Sequence, residues 1–250
     1  TMLSDVDDAA IAYGDPPRNK PGNPRRLRYV LAHRAKPNLK SLFVSVVEPY
    51  GDRRRLRRVE RLDLGLGPED LTAAAVRVET ADGRVDAILS SDDPARVFDL
   101  GGVVRAGGRF IAVSTRDGRW ESILAVGGTR VEVAGKRLSI SKPEYTGRIA
   151  AMYTGDAGPA WVRVDADLPT GERLAGAMLR VHTDGPRDAC FTIRGVSKAA
   201  DGTTEIDLGD VTFVQDVKDQ RDYSKGYVYD FAVGDAWDIQ TVVRATTESG

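Results

Sequence analysis

A chain of 250 residues is long enough for one large domain or two modest ones, each with a sizeable core. Hydrophobic residues make up 41% and charged residues 29%, a composition typical of folded proteins and too apolar for a disordered one. The net charge of −1 gives no overall field that favours nucleic acid or an acidic membrane. No apolar run approaches the ~20 residues of a membrane-spanning helix, so neither kind of partner is predicted.

The cysteine and histidine content excludes several common sites. Cys190 is the only cysteine, so neither an intrachain disulfide nor a cysteine-rich metal site is expected. Its neighbours are typical of a strand, and it is interpreted as a small apolar side chain. His33 and His182 lack the spacing of zinc-binding motifs. The first residues have no basic region followed by an apolar stretch, so no signal peptide is predicted.

The spacing of glycine and proline predicts an all-β protein. These residues recur at short intervals, and the segments between them are rich in valine, isoleucine and threonine. Residues 1–26 contain four prolines and are predicted to form an extended lead-in. Strands are predicted at 27–33, 42–47, 57–64, 74–79, 85–90, 109–115, 120–126, 129–133, 147–152, 161–166, 177–183, 190–196, 204–208, 211–214, 227–232 and 239–245.

Local patterns add detail to this prediction. Asp82-Gly83 and Asp117-Gly118 separate neighbouring strands, which is the strongest short-range signal of a hairpin. The run 42–47 is apolar at both odd and even positions, so it is predicted to be a strand covered on both faces. Residues 68–75 begin with Pro-Glu-Asp and form the one helix candidate, of about two turns.

The pattern of predicted strands is interrupted at residues 139–147, which divides the chain into two parts. Residues 27–140 are predicted to form an antiparallel β-sandwich, and residues 141–250 a smaller β unit that packs on it or continues it. The predicted fold class is therefore all-β with very little helix.

Arginine is concentrated between residues 53 and 61. Guanidinium groups pair with carboxylate and sulfate, so Arg54 and Arg57 are candidate contacts for an anionic glycan. Glu60 and Asp63 dilute the charge, and strand alternation sends the arginines to both faces. A solvated edge that discourages aggregation is the alternative interpretation.

Asp216, Asp219 and Asp222 recur every third residue in a predicted loop. Closely spaced carboxylates are calcium ligands. The loop lacks the glycine and final glutamate of an EF-hand, and Lys218 and Arg221 supply competing charge. Calcium at these aspartates is the one metal that the sequence suggests, and no other cofactor is predicted.

The richest aromatic segment lies near the C-terminal end of the sequence. Tyr227, Tyr229 and Phe231 share one strand parity, which is typical of a core stripe, and Asp230 is expected to meet solvent or a basic side chain. Sugar rings stack on exposed aromatic faces. Candidate sugar-stacking residues are therefore those outside the stripe, namely Tyr223 and Trp237.

Several segments of the sequence resemble the β-rich C-terminal region of bacterial heparinase II/III-like proteins, a group of polysaccharide lyases and their relatives. The resemblance spans residues 27–245. The segments that carry it are 27–34 (LRYVLAHR), 41–50 (SLFVSVVEPY), 145–149 (YTGRI), 167–176 (DLPTGERLAG) and 226–229 (GYVY).

The resemblance implies an extracellular or periplasmic polysaccharide-active protein in which an α/α toroid of helices precedes the β region and catalysis occurs between the two. No residue here matches a catalytic position, so none is assigned. We expect a non-catalytic region that binds an anionic polysaccharide or braces a helical catalytic domain. The alternatives are part of a lyase whose active site needs the helical portion, and a protein-interaction module without a glycan.

Overall fold

The computed structural model describes residues 6–15, 21–22, 24, 26–35, 37–67, 69–155, 158–185 and 187–247. The protein is nearly all β, with 51% of residues in strands, and every strand pair in the described sheets is antiparallel. Helical structure among these residues is limited to the 3₁₀ turns Glu172–Leu174 and Tyr223–Lys225. The predicted fold class is confirmed.

Contacts divide the chain into two compact units, Thr1–Ser45 and Val46–Gly250. The first unit contains a two-stranded hairpin of β1 (Asp8–Gly14) and β2 (Leu27–His33). β2 has the predicted bounds, whereas β1 lies inside the segment predicted as an extended lead-in. None of the described residues between 6 and 45 is buried.

The second unit begins with a β-sandwich. A four-stranded sheet has the order β11-β10-β7-β6, and the facing sheet contains β9-β8-β5-β4-β3. The strands are β3 (Leu56–Arg61), β4 (Ala73–Thr80), β5 (Arg84–Ser91), β6 (Phe98–Leu100), β7 (Val104–Gly107), β8 (Phe110–Arg116), β9 (Arg119–Val126), β10 (Arg130–Val133) and β11 (Lys136–Ser139).

Alternation along each strand builds the core of this sandwich. Leu89, Ile111 and Ile123 point inward from one sheet, and Val104 and Val131 from the other. Each is no more than 2% exposed. Their neighbours in sequence face outward, which is the period-two pattern of a sheet with one dry face.

A seven-stranded sheet follows, in the order β15-β14-β20-β12-β13-β17-β16. A two-stranded ribbon of β18 and β19 accompanies it. The strands are β12 (Glu144–Met152), β13 (Ala160–Val164), β14 (Met178–His182), β15 (Ala189–Thr192), β16 (Gly195–Lys198), β17 (Thr204–Gly209), β18 (Val214–Val217), β19 (Tyr227–Tyr229) and β20 (Ala236–Gln240).

The long strand β12 joins the two halves of this sheet. Residues 144–148 pair with β20, and the residues from Ile149 onward pair with β13 after a register shift between Ile149 and Ala151. Such irregularities let a strand bend from one sheet layer into another. Side chains from both halves form a second core, including Val162, Leu179 and Ile206, each fully buried.

The last strand, β21 (Val242–Thr246), belongs to the first sandwich. It pairs with β9 from Val242↔Val126 to Thr246↔Ser122 and completes a six-stranded sheet. Only Thr241 separates it from β20 of the seven-stranded sheet. The chain therefore returns to the first sandwich, although sequence analysis placed 239–245 in one strand of the 141–250 unit.

The prediction of a buried strand at 42–47 is wrong. These residues form no strand, and Phe43, Val44, Val46 and Val47 are 58%, 52%, 41% and 84% exposed. An apolar run becomes a covered strand only where other strands and side chains lie against it, and the described part of the chain supplies none. Burial depends on the strands and side chains that cover a segment, and the apolar composition of 42–47 does not by itself provide it.

Two local predictions, a hairpin turn and a helix, have different outcomes. The Asp117-Gly118 hairpin is confirmed, since both residues have positive φ, 48° and 74°, as a type I′ turn requires. The helix at 68–75 is wrong for residues 69–75, where β4 begins at Ala73, while Pro68 lies outside the described residues. Ala73, Ala74 and Ala75 are buried in the sheet, so tertiary packing outweighs the helix-start signal.

Candidate functional site

The arginine-rich segment begins in a loop that Glu48 closes. Glu48 Oε1 accepts hydrogen bonds from the backbone N–H groups of Arg55 at 2.6 Å and Leu56 at 2.8 Å. The pKa of the Glu48 carboxyl is lowered, mainly by the hydrogen bond from the Leu56 N–H and to a smaller extent by that from Arg55. Both bonds favour the charged form. Residues 49–54 are thereby held next to the start of β3.

Within this loop Arg54 stacks on Tyr50. The guanidinium carbon lies 4.9 Å from the ring centroid, and Nη2 donates to the Tyr50 hydroxyl at 3.4 Å. Tyr50 remains 54% exposed. A cation held on an exposed aromatic face offers both a stacking surface and a charge to an acidic sugar.

Arg57 occupies an irregularity in the edge strand. The register of β3 on β4 shifts between Leu56 and Arg58, so Arg57 is the extra residue of a bulge. It is exposed, whereas Arg58 forms a 3.2 Å ion pair with Glu60. Both predicted glycan contacts, Arg54 and Arg57, are therefore on the surface of one short segment.

The two aromatic candidates have opposite placements. Tyr223 is 67% exposed in a 3₁₀ turn that Asp222 caps, with Asp222 Oδ1 accepting from the Ser224 N–H at 3.1 Å. Trp237 is 1% exposed. The prediction that Trp237 presents a face to sugar is wrong, because its parity in β20 is that of the core residue Ile239.

The aromatic stripe after Tyr223 is only partly inward. Phe231 is 4% exposed and Tyr229 packs on the second core, but Tyr227 is 39% exposed. Asp230 lies 3.8 Å from Arg187, as expected for a residue on the opposite parity. Among the described strands β19 pairs only with β18, and Tyr227 at its start is exposed.

The calcium site predicted from three aspartates is not formed. Asp216 Oδ1 accepts from the Val217 N–H at 2.8 Å, Asp219 forms a 2.6 Å ion pair with Lys225, and Asp222 caps Ser224. Each carboxylate is thus used locally. Throughout the described ranges, no group of three or more His, Cys, Asp or Glu side chains could hold a metal ion.

A polar network on the outer face of the seven-stranded sheet was missed by sequence analysis. Asp238, in β20, is 5% exposed and its Oδ2 accepts from Arg180 Nε at 2.7 Å. Gln240 donates to Asp238 Oδ1 at 2.9 Å. Burial acts to raise the pKa of Asp238, but the bonds from Gln240 and Arg180 and the positive charge of Arg180 outweigh it, so that pKa is lowered.

His182 extends this network to a second carboxylate. Its Nε2 lies 2.8 Å from Asp238 Oδ2, and its Nδ1 lies 3.2 Å from Asp188 Oδ2. Because a ring nitrogen must carry a proton to donate, only the doubly protonated ring donates to both carboxylates. Arg180 Nε lies 2.7 Å from Asp238 Oδ2 and 4.0 Å from Asp188 Oδ2, so each carboxylate has a cationic neighbour. Alternation in β20, with 236, 238 and 240 opposite 237 and 239, was the signal that could have revealed it.

Three comparisons with known proteins found no match to this chain. No protein-family model matches the chain, and neither a curated protein nor a solved structure matches it. In the described part of the chain, no helix is long and apolar enough to cross a membrane.

Proposed function

We propose that this chain is a non-catalytic, carbohydrate-associated β region of a larger polysaccharide-active protein, and that it braces a helical catalytic domain by docking through its first unit. The sequence resemblance supports the carbohydrate association. The observation that carries the docking role is the lack of any buried side chain among the described residues of 6–45.

The hairpin of the first unit has the character of an interaction arm. Ile11, Tyr13 and Val30 are each more than half exposed. A two-stranded hairpin is marginally stable at best by itself, and contiguous exposed apolar surface marks protein interaction sites. Docking against another folded domain would bury these side chains and stabilise the hairpin.

The segment 42–47 supplies a second apolar contact. It is uncharged and apolar at both parities, and it forms no strand in the described structure. Such a segment fits between other strands or against a helical layer, where both its backbone and its side chains gain partners. The proposed occupant is the helical toroid domain of a heparinase II/III-like lyase.

Direct binding to that helical domain, supplied as a separate protein, tests the proposal. We expect a stable complex by light scattering, and slower amide exchange at 8–14, 27–33 and 42–47. Phe43→Ser with Val44→Ser, at positions 58% and 52% exposed in the first unit, should weaken the complex at least about tenfold, or ~1.4 kcal/mol. Met178→Ser with Val233→Ser is the matched control, since these residues are 50% and 58% exposed elsewhere. Absence of a complex, or equal weakening by both pairs, would refute docking through this surface.

The same mixture separates bracing from direct catalysis. Elimination across a uronate produces a new ultraviolet absorbance. In one outcome, activity requires both components but persists when each exposed ionisable side chain of this chain at the contact is substituted in turn. That result fits a brace. Activity abolished by one such substitution, with the complex intact, would instead favour the alternative in which this chain completes a lyase active site.

A second candidate function is binding of an acidic polysaccharide at the Glu48 loop. The Arg54–Tyr50 stack beside exposed Arg57 favours it. We expect retardation in alginate or heparin gels but not in uncharged pullulan. Arg54→Ala with Arg57→Ala should abolish most of this retardation, and Arg119→Ala with Arg221→Ala removes the same charge from exposed sites elsewhere. Equal loss from both pairs would mean that only net charge matters.

A further inference from the structure

A cleft of about 200 Å³ lies where the 3₁₀ turn Glu172–Leu174 approaches β21. Leu174, Ala177 and Val242 contribute apolar walls, and Leu174 and Ala177 are each 5% exposed. The charged residues of the lining are Arg173 and Arg244. The chain thus places two arginines along one concave surface.

The lining contains no carboxylate. Within the described ranges, neither Arg173 nor Arg244 forms an ion pair, whereas arginines such as Arg163 and Arg116 each meet two acidic side chains. Both arginines are exposed, and like charges that line one cleft repel each other. A bound anion would convert that repulsion into attraction.

Three hydrogen-bond donors of the walls are already used within the protein. The Gly176 N–H donates to the Ile193 carbonyl at 2.9 Å, and the Ala177 N–H donates to the Leu174 carbonyl at 3.0 Å. The Thr241 hydroxyl donates to the Lys142 carbonyl at 2.6 Å. The charged donors of the lining are those of Arg173 and Arg244.

We propose that this cleft binds an oxyanion group, a carboxylate or a sulfate, through Arg173 and Arg244. The guanidinium fork matches both groups with paired N–H donors. The volume is below the ~300–1,000 Å³ of sites for drug-sized ligands, so the cleft accommodates one small acid or one charged group of a larger ligand. This site is separate from the Glu48 loop and does not depend on the docking role.

Amide chemical-shift mapping tests the site on the whole chain. Sodium glucuronate and sodium sulfate are titrated at constant ionic strength, with glucose as the uncharged comparison. We expect saturable shifts at Gly176 and Thr241 with one or both anions and none with glucose. Glucuronate alone would identify a carboxylate site, and sulfate alone a sulfate site. Shifts that never saturate, or that map elsewhere, would overturn the proposal.

Paired substitutions give an independent readout. Arg173→Ala with Arg244→Ala should weaken binding at least about tenfold, while Arg119→Ala with Arg221→Ala should leave it unchanged. Circular dichroism melting checks that both pairs fold. Equal affinity in the two pairs would overturn the proposal, and if the cleft pair fails to fold, the shift mapping of the unsubstituted chain decides.

Discussion

At the scale of single residues, close contacts decide which positions tolerate change. Gly147 lies directly opposite Trp237 in the register of β12 and β20. A Cβ at Gly147 would come within 2.9 Å of the Trp237 ring and 2.4 Å of Asp165 Oδ1. The small residue leaves room for a buried indole, so this glycine is needed for packing.

Gly147→Ala should therefore destabilise the protein by about 1–3 kcal/mol through overpacking. Chemical denaturation measures the free energy of unfolding. Gly195→Ala is the control, because that glycine lies in β16 and a Cβ there would have no neighbour within 4 Å. Similar losses in the two variants would show that the indole does not limit the space.

A pH dependence follows from the lowered pKa of Asp238. Because the folded-state pKa lies below the unfolded value of about 3.9, the carboxylate contributes stability above that value, and the contribution is lost as the pH falls through the folded pKa. Asp238→Asn should cost about 1–3 kcal/mol at pH 7. The difference from the unsubstituted chain should shrink below pH ~4, as thermal melts across pH would show. A difference that is constant with pH would contradict this.

At the scale of elements, position in a sheet outweighs the composition of a segment. The apolar run 42–47 is exposed, whereas Val162 in β13 is fully buried between neighbouring strands. Sequence periodicity alone gives both segments the same strand prediction, and only the second has strands on either side.

Val46→Asp should consequently leave the melting temperature of this chain nearly unchanged, because the new carboxylate meets water at a 41% exposed position. Val162→Asp buries an unpaired charge and should abolish folding. Circular dichroism melts of the two variants make the comparison. Unfolding of the Val46→Asp variant would show that 42–47 is covered in solution, by this chain or by a second copy.

At the scale of the whole molecule, β21 ties the end of the chain to an early sheet. Val243 and Ala245 pack on the first core, and the strand covers the edge of β9. Its removal would uncover an edge with unpaired N–H and C=O groups, which invites aggregation. The first sandwich therefore depends on residues more than a hundred positions away in sequence.

Truncation after Thr241 should lower the melting temperature by at least about 3 °C, which corresponds to ~1 kcal/mol for a unit of about 200 residues, and should increase aggregation. Truncation after Thr247 retains β21 and should melt like the full chain. Scanning calorimetry and light scattering report the two effects. Identical melting of the truncated chains would show that β21 adds little to the first sandwich.

The sequence by itself determined the all-β class, the bounds of strands such as β2, and the Asp117-Gly118 turn. These features depend on backbone preferences and side-chain alternation within a few residues, so the local sequence is enough to predict them. The exposure of Arg54, Arg57 and Tyr223 followed from the same local patterns, since charged or loop residues rarely fill a core.

Only the tertiary structure decided what each strand faces. Trp237 is buried because Gly147 lies across from it, Asp238 is held by side chains from β14, and β21 crosses back to β9. The run 42–47 stays exposed because no described strand covers it. Burial and ion pairing depend on which distant surfaces meet, and that long-range choice is made by the summed packing of the whole chain.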